Sequence, residues 1–157
     1  MENWHQHMGV YGVYTLDNEL LLVRKTRGPY KNRYDLPGGS FEANESIHDC
    51  LIRELNEEIG YSFYPQVMLG TYDYLVPWQQ DNNKTHIHHI AMYYKVNTHE
   101  KIIKKQIVAD DTEGFDFVSI DKLSEENSSP LVIDIVKYLK GRKIEGMMKR
   151  YDNWSIK

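Results

Sequence analysis

The sequence predicts an α/β fold in which helices pack against a mixed β-sheet. Strand-like runs rich in β-branched and aromatic residues recur along the chain, two helical periodicities are dispersed among them, and 157 residues suffice for one domain with its own core. Residues 8–15 (MGVYGVYT) and 19–23 (ELLLV) flank an Asp17-Asn18 turn and read as a β-hairpin. A loop punctuated by Gly28-Pro29 covers 27–33, and a short strand at 34–36 stops at Pro37-Gly38-Gly39. Ile47, Leu51, Leu55 and Ile59 recur every four residues and give a helix over 44–60 its core face. Asn44 is the expected N-cap, Glu45 suits the positive N-terminus, and Gly60 sits where a left-handed residue ends a helix. Residues 67–76 and 86–96 read as strands around a polar loop at 79–84, and 115–120 as another strand. Residues 121–126 suit a turn or short helix, and 130–139 a second amphipathic helix with Pro130 in its first turn. The last dozen residues, with Trp154, read as a tail or a partly docked helix.

Composition narrows the function. The chain is 41% hydrophobic and 27% charged, with a net charge of −4, which argues against a general binder of polymeric nucleic acid. No apolar run approaches the roughly 20 residues of a membrane helix, and the N-terminus lacks the basic and apolar regions of a signal peptide. A lone cysteine, Cys50, suits a reducing, cytoplasmic setting and reads as core rather than nucleophile. Charge is uneven: residues 137–157 hold seven Lys/Arg against Glu145 and Asp152, leaving the rest at −9. We therefore expect a domain over 1–140 and a basic extension over 141–157, most simply a solvated helix end. The oligomeric state stays open, a homodimer included.

The chemistry concentrates on the first helix. Glu54, Glu57 and Glu58 are spaced i, i+3, i+4 and share about 100° of one face. Such like-charge pairs cost roughly 0.2–0.5 kcal/mol each. They also lie in the C-terminal half, where the helix dipole disfavours anions, with only Arg53 nearby. A bound divalent cation would offset that repulsion, and hard carboxylate oxygens suit Mg²⁺ or Mn²⁺. The Gly38-Gly39 pair permits a close backbone approach to the same ion. Taken alone, the triplet is better explained as a merely soluble acidic face.

The surrounding residues decide. Gly39, five residues, Glu45, seven residues, then Arg53-Glu54-Leu55-Asn56-Glu57-Glu58-Ile59-Gly60 resembles the Nudix box of the Nudix hydrolases (MutT-like). Only the closing Tyr61 departs, where an aliphatic residue is usual. The resemblance implies an α/β/α sandwich with a central mixed sheet and a hydrolase that attacks a pyrophosphate with water. It makes Glu54, Glu57 and Glu58 metal carboxylates with Gly38 as a carbonyl ligand, and Arg53 the side chain that orients them. Gly39, Glu45 and Gly60 take structural places in the box. Catalysis falls to Glu57, Glu54 and Arg53. Glu57 or Glu54 is the expected base, and Asp111 or Glu113 is a candidate base outside the box. The implied substrate is a small nucleoside diphosphate linked to another moiety, either ADP-ribose-like or a nucleoside triphosphate. A non-catalytic nucleotide sensor is the alternative.

Specificity is less legible. Arg27, Tyr30, Lys31 and Arg33 either contact phosphate or base, or form a plain cationic loop. Tyr72, Tyr74 and Trp78 either stack a nucleobase or fill the core. Asn127 resembles a base-reading asparagine of the nucleotide-sanitising branch, and Pro77, sixteen residues past Tyr61, a marker of the ADP-ribose branch. His86 and His88 share one strand face and His89 the other, which disfavours a zinc site.

Overall fold

Alternation along two strands organises the molecule. The computed structural model describes residues 1–103, 108–109 (backbone only) and 112–157. The larger sheet is mixed and runs β10 (Lys149–Arg150), β6 (Tyr64–Pro77), β7 (His86–Asn97), β1 (Trp4–Val13), β5 (Gly38–Ser40). The smaller one runs β2 (Thr15–Leu16), β3 (Glu19–Lys25), β9 (Thr112–Ser119), β8 (Val108–Ala109), with β4 (Tyr34–Asp35) also paired to β3. Helices α1 (Ile47–Ile59) and α2 (Pro130–Leu139) cover opposite sides, giving α/β/α layers.

Successive strand residues serve the two cores in turn. Val10 of β1 and Leu21 and Val23 of β3 pack with Cys50, Leu51, Leu55 and Ile59 of α1. Tyr11, Val13, Leu20 and Leu22 face the other way, onto Leu131, Val132, Ile135 and Val136 of α2. Leu51, Leu55 and Ile59 are fully buried, each contributing roughly 1.5–3 kcal/mol of transfer free energy.

This two-sided burial corrects the expected hairpin. β1 begins at Trp4, pairs in parallel with β7 and antiparallel with β5, and never pairs with β3. Only Thr15 and Leu16 close a hairpin onto β3. A strand buried on both faces must lie inside a sheet, so residues 10–13 are central rather than half of an edge ribbon. The α1 cap is also corrected: Ser46 Oγ accepts from Asp49 N–H at 3.1 Å, while Asn44 turns the chain at φ 60°. Gly60 ends the helix at φ 82° as expected.

The C-terminal segment is docked, though not as a helix. β10 adds in parallel to β6, Ile144 is buried, and Lys149 Nζ reaches the wholly buried carboxylate of Asp134 at 2.9 Å. One of the basic residues expected in solvent therefore ties the segment to α2. Among the described residues, no helix is long and apolar enough to cross a membrane.

Candidate active site

A cleft of about 930 Å³ opens between the start of the larger sheet, the loop after β3 and the exposed face of α1. One wall is acidic and carries Glu54, Glu57 and Glu58 behind the turn at Gly38 and Gly39. Lys25, Arg27, Tyr30, Trp78, His5 and His7 also line it.

Arg53 ties the acidic wall together. Arg53 forks onto Glu45 through Nε (2.5 Å) and Nη2 (3.0 Å). Its Nη1 donates to Glu54 at 3.0 Å and to Glu57 at 3.3 and 3.4 Å, and Nη2 also donates to the Ser40 carbonyl at 3.1 Å. The guanidinium, with the Glu42 amide, holds the Glu45 carboxyl down at about 2. Hydrogen bonding to Glu45 in turn raises the pKa of Arg53. The three box glutamates occupy distinct settings. Glu58 is buried and accepts the Gly38 N–H at 2.9 Å, which ties the turn to the helix. Glu54 is 16% exposed and Glu57 55% exposed at the cleft.

The two glycines are needed for different reasons. At Gly38, φ is 148° and a Cβ would meet the Val10 carbonyl oxygen at 2.1 Å. At Gly39 a Cβ would meet the Glu54 carboxylate at 2.8 Å, so the missing side chain is the recess in which that carboxylate rests. Hard oxygens around such a recess fit a divalent ion. Among the described residues, no three acidic, histidine or cysteine side chains stand ready-grouped for a metal. Arg53 engages Glu54 and Glu57 instead.

His89, one of the three histidines of β7 noted in the sequence, also lines the cleft. His89 is buried between two tyrosines, with the Tyr11 hydroxyl at 2.7 Å from Nε2 and the Tyr30 hydroxyl at 2.8 Å from Nδ1. Burial holds its pKa well below the ordinary histidine value, so the ring is neutral, donating to one hydroxyl and accepting from the other. Parallel pairing sets His5 beside Ile87 and His7 beside His89, on the cleft side of both strands. The alternating His5-Gln6-His7 was the available signal, hidden because the strand was read as starting at Met8. His88 faces the other way and meets Asp73 at 2.6 Å, as alternation requires.

Three expected substrate residues lie elsewhere. Tyr74 is fully buried and donates to Asp134 at 2.6 Å, an apolar ring with its one polar atom satisfied inside the core. Arg33 is buried under the C-terminal segment, its guanidinium 3.9 Å from the Trp154 ring and donating to the Ser155 carbonyl at 2.7 Å. Asn127 is spent on its own turn, accepting from Ser124 N–H at 2.9 Å and donating to Lys122 O at 2.8 Å. Arg27 and Trp78 do line the cleft. Glu113 is exposed on β9 and is not among the cleft residues, while Asp111 lies outside the described residues. Cys50 is core: burial pushes its thiol up to about 12, and it donates to Ser40 O at 3.4 Å.

The comparisons with known proteins follow this geometry. The NUDIX domain family model matches residues 4–139. An ADP-ribose pyrophosphatase from Methanocaldococcus jannaschii is 25% identical over 137 residues, covering 87% of this chain and 77% of that protein. The NUDIX hydrolase structure from Nitrosomonas europaea is 26% identical with a TM-score of 0.63, covering 88% of this chain and 92% of its own. A MutT protein structure from Methanosarcina mazei, 19% identical, shares the fold at a TM-score of 0.65 over 89% of this chain and 95% of its own. Nudix hydrolases generally use divalent metal ions, and such homologues act on small molecules derived from nucleotides. With the family model spanning most of its length, the chain belongs to the Nudix family and is a hydrolase of that class.

Proposed function

We propose that this chain hydrolyses the pyrophosphate bond of a nucleoside diphosphate joined to another moiety, in a Mg²⁺-dependent reaction, with ADP-ribose-like molecules preferred to nucleoside triphosphates. The observation that carries this is one cleft lined both by the carboxylates of α1 and by the cationic and aromatic side chains of Lys25, Arg27, Tyr30 and Trp78. A pyrophosphate flanked by two organic groups needs both, because acid alone repels it. The likeness to the archaeal ADP-ribose pyrophosphatase supports the substrate class. So does Pro77, which ends β6 and delivers Trp78 to the cleft.

Glu54, Glu57 and Glu58, with the Gly38 carbonyl, would hold the metal. An ion bound there would supply charge neutralisation at the phosphate oxygens and a lowered pKa for the attacking water. The protein's own groups do the rest. Arg53 fixes the rotamers of Glu54 and Glu57, and Glu58 fixes the turn. Glu57, the most exposed of the three, accepts the proton as the water oxygen joins phosphorus and the bridging P–O bond breaks. Lys25 and Arg27 draw the departing phosphate side.

A substrate panel with Mg²⁺ tests this. ADP-ribose is expected to yield AMP and ribose phosphate, while triphosphates turn over more slowly. Glu57→Gln is expected to lower kcat roughly 10²–10⁴-fold while leaving Tm unchanged, since the side chain is exposed. Unchanged turnover would remove Glu57 as the base. A panel in which nothing is cleaved, although nucleotides bind, would favour a sensor.

A further inference from the structure

The 141–157 segment lies beyond the matched family span, yet it packs on the 27–33 loop that lines the cleft. It starts from a firm base. β10 pairs with β6, the Tyr151 N–H donates to the Leu75 carbonyl at 2.9 Å, and Lys149 binds buried Asp134. From there it crosses to the 27–33 loop. The Trp154 indole N–H donates to the Pro29 carbonyl at 2.8 Å, and its ring meets Tyr30 edge-on at 5.8 Å. The Arg33 guanidinium stacks on the other part of that ring at 3.9 Å and donates to the Ser155 carbonyl. The same loop supplies Arg27, Gly28, Pro29 and Tyr30 to the cleft, and the Tyr30 hydroxyl bonds His89. The loop turns at Gly28 (φ 81°) and Asn32 (φ 61°) and closes on its own stem through Lys25 N–H to the Arg33 carbonyl at 3.0 Å, and the C-terminal segment adds the contacts from outside.

We infer that Trp154 is a positioning residue: with Arg33 it clamps the 27–33 loop and so sets where Arg27 and Tyr30 meet the substrate's non-metal end. This rests on the proposed pyrophosphohydrolase reading for its substrate, though not for the clamp itself. Trp154 touches no reacting atom. Its loss should therefore change KM more than kcat, because the acidic wall is held separately by Arg53 and Glu45.

Two measurements on the full chain test it, using Trp154→Ala, Trp154→Phe and, as a control, exposed Ile156→Ala. The first is hydrogen exchange of a peptide covering 26–34. Trp154→Ala is expected to exchange roughly tenfold faster there, with the α1 peptide unchanged, and Trp154→Phe to lie between it and the parent. The second is steady-state hydrolysis of ADP-ribose with Mg²⁺, where Trp154→Ala is expected to raise KM about tenfold with kcat within about threefold. Ile156→Ala should match the parent in both. Unchanged loop exchange, acceleration spread over the whole chain, or a fall in kcat at constant KM would each overturn the clamp. If Trp154→Ala does not fold, Trp154→Phe carries both measurements, with parent-like values as the overturning result. If the parent cleaves nothing, the proposed reaction fails, while the exchange experiment still decides the clamp.

Discussion

Replacing Gly39 by alanine should cost activity while sparing the fold. The backbone at Gly39 has an ordinary negative or extended φ, so alanine adds no backbone strain there. The added Cβ would stand 2.8 Å from the Glu54 carboxylate, against an ordinary contact that begins at 3.4 Å. The carboxylate must therefore retreat by about 0.6 Å, the difference between those distances, and it can do so because it ends a flexible side chain. Retreat strains its 3.0 Å bond to Arg53 and takes it from the recess where it would meet the metal. Misplacement approaching 1 Å costs on the order of 10²-fold, so we expect kcat/KM to fall roughly 30- to 100-fold. Local overpacking of about 1 kcal/mol lowers Tm by only about 2–4 °C for a chain of this size. Gly38→Ala is the internal contrast. Its Cβ meets the Val10 backbone oxygen at 2.1 Å, which cannot swing away, and its φ of 148° excludes a side chain, so it should be lost to misfolding. The assay is kcat/KM on ADP-ribose with Mg²⁺, beside thermal melts of both variants. Parent-like activity in Gly39→Ala, or a melt as damaged as that of Gly38→Ala, would refute the recess argument.

Two further outcomes follow from ion pairs. Arg53 depresses the Glu45 carboxyl to about 2, so the pair stabilises the fold at neutral pH and is lost as pH falls from the ordinary carboxylate range through about 2; Glu45→Gln should therefore lower Tm at pH 7 and close that gap in acid, and an equal gap at pH 7 and pH 3 would contradict it. Asp134 is wholly buried between Lys149 and the Tyr74 hydroxyl, so Asp134→Ala leaves an ammonium without its partner and should cost about 3–5 kcal/mol, roughly 6–20 °C in Tm, which a thermal melt checks.

Residues that act through local spacing were legible in the sequence, and those that act through long-range packing were not. Both helices, the Gly60 cap and the face shared by Glu54 and Glu57 follow from a period of 3.6. Periodicity does not distinguish exposed from buried glutamate, so the contrast between Glu57 and Glu58 needed the Gly38 amide, twenty residues away. Tyr74, Arg33 and Asn127 were chosen by residue type, and type does not reveal that Asp134, Trp154 and Ser124 already satisfy them. The expected hairpin fails for a related reason: a run such as MGVYGVYT suits any strand, and only its partners β7 and β5 show that it is central. His89 shows the same limit. Its alternation was readable, but its two tyrosine partners come from positions 11 and 30.

The arrangement around Arg53 shows how crowded carboxylates are accommodated on one helix face. Glu58 accepts the Gly38 N–H, and Glu54 and Glu57 share one guanidinium that Glu45 and the Ser40 carbonyl hold in place. On the proposed reading, a divalent ion would share Glu54 and Glu57 with Arg53. Glu57 is the weakest of those engagements, at 3.3 and 3.4 Å and more than half exposed, so it is the group that can turn toward an ion or a water at least cost. Glu54, shorter-bonded and seated against Gly39, stays where the fold puts it. A site of this kind binds metal weakly alone and more tightly when a pyrophosphate supplies further oxygens. Calorimetric titration of Mg²⁺ should therefore show clear uptake only with a non-hydrolysable nucleotide diphosphate present. Equal affinity with and without it would contradict this sharing.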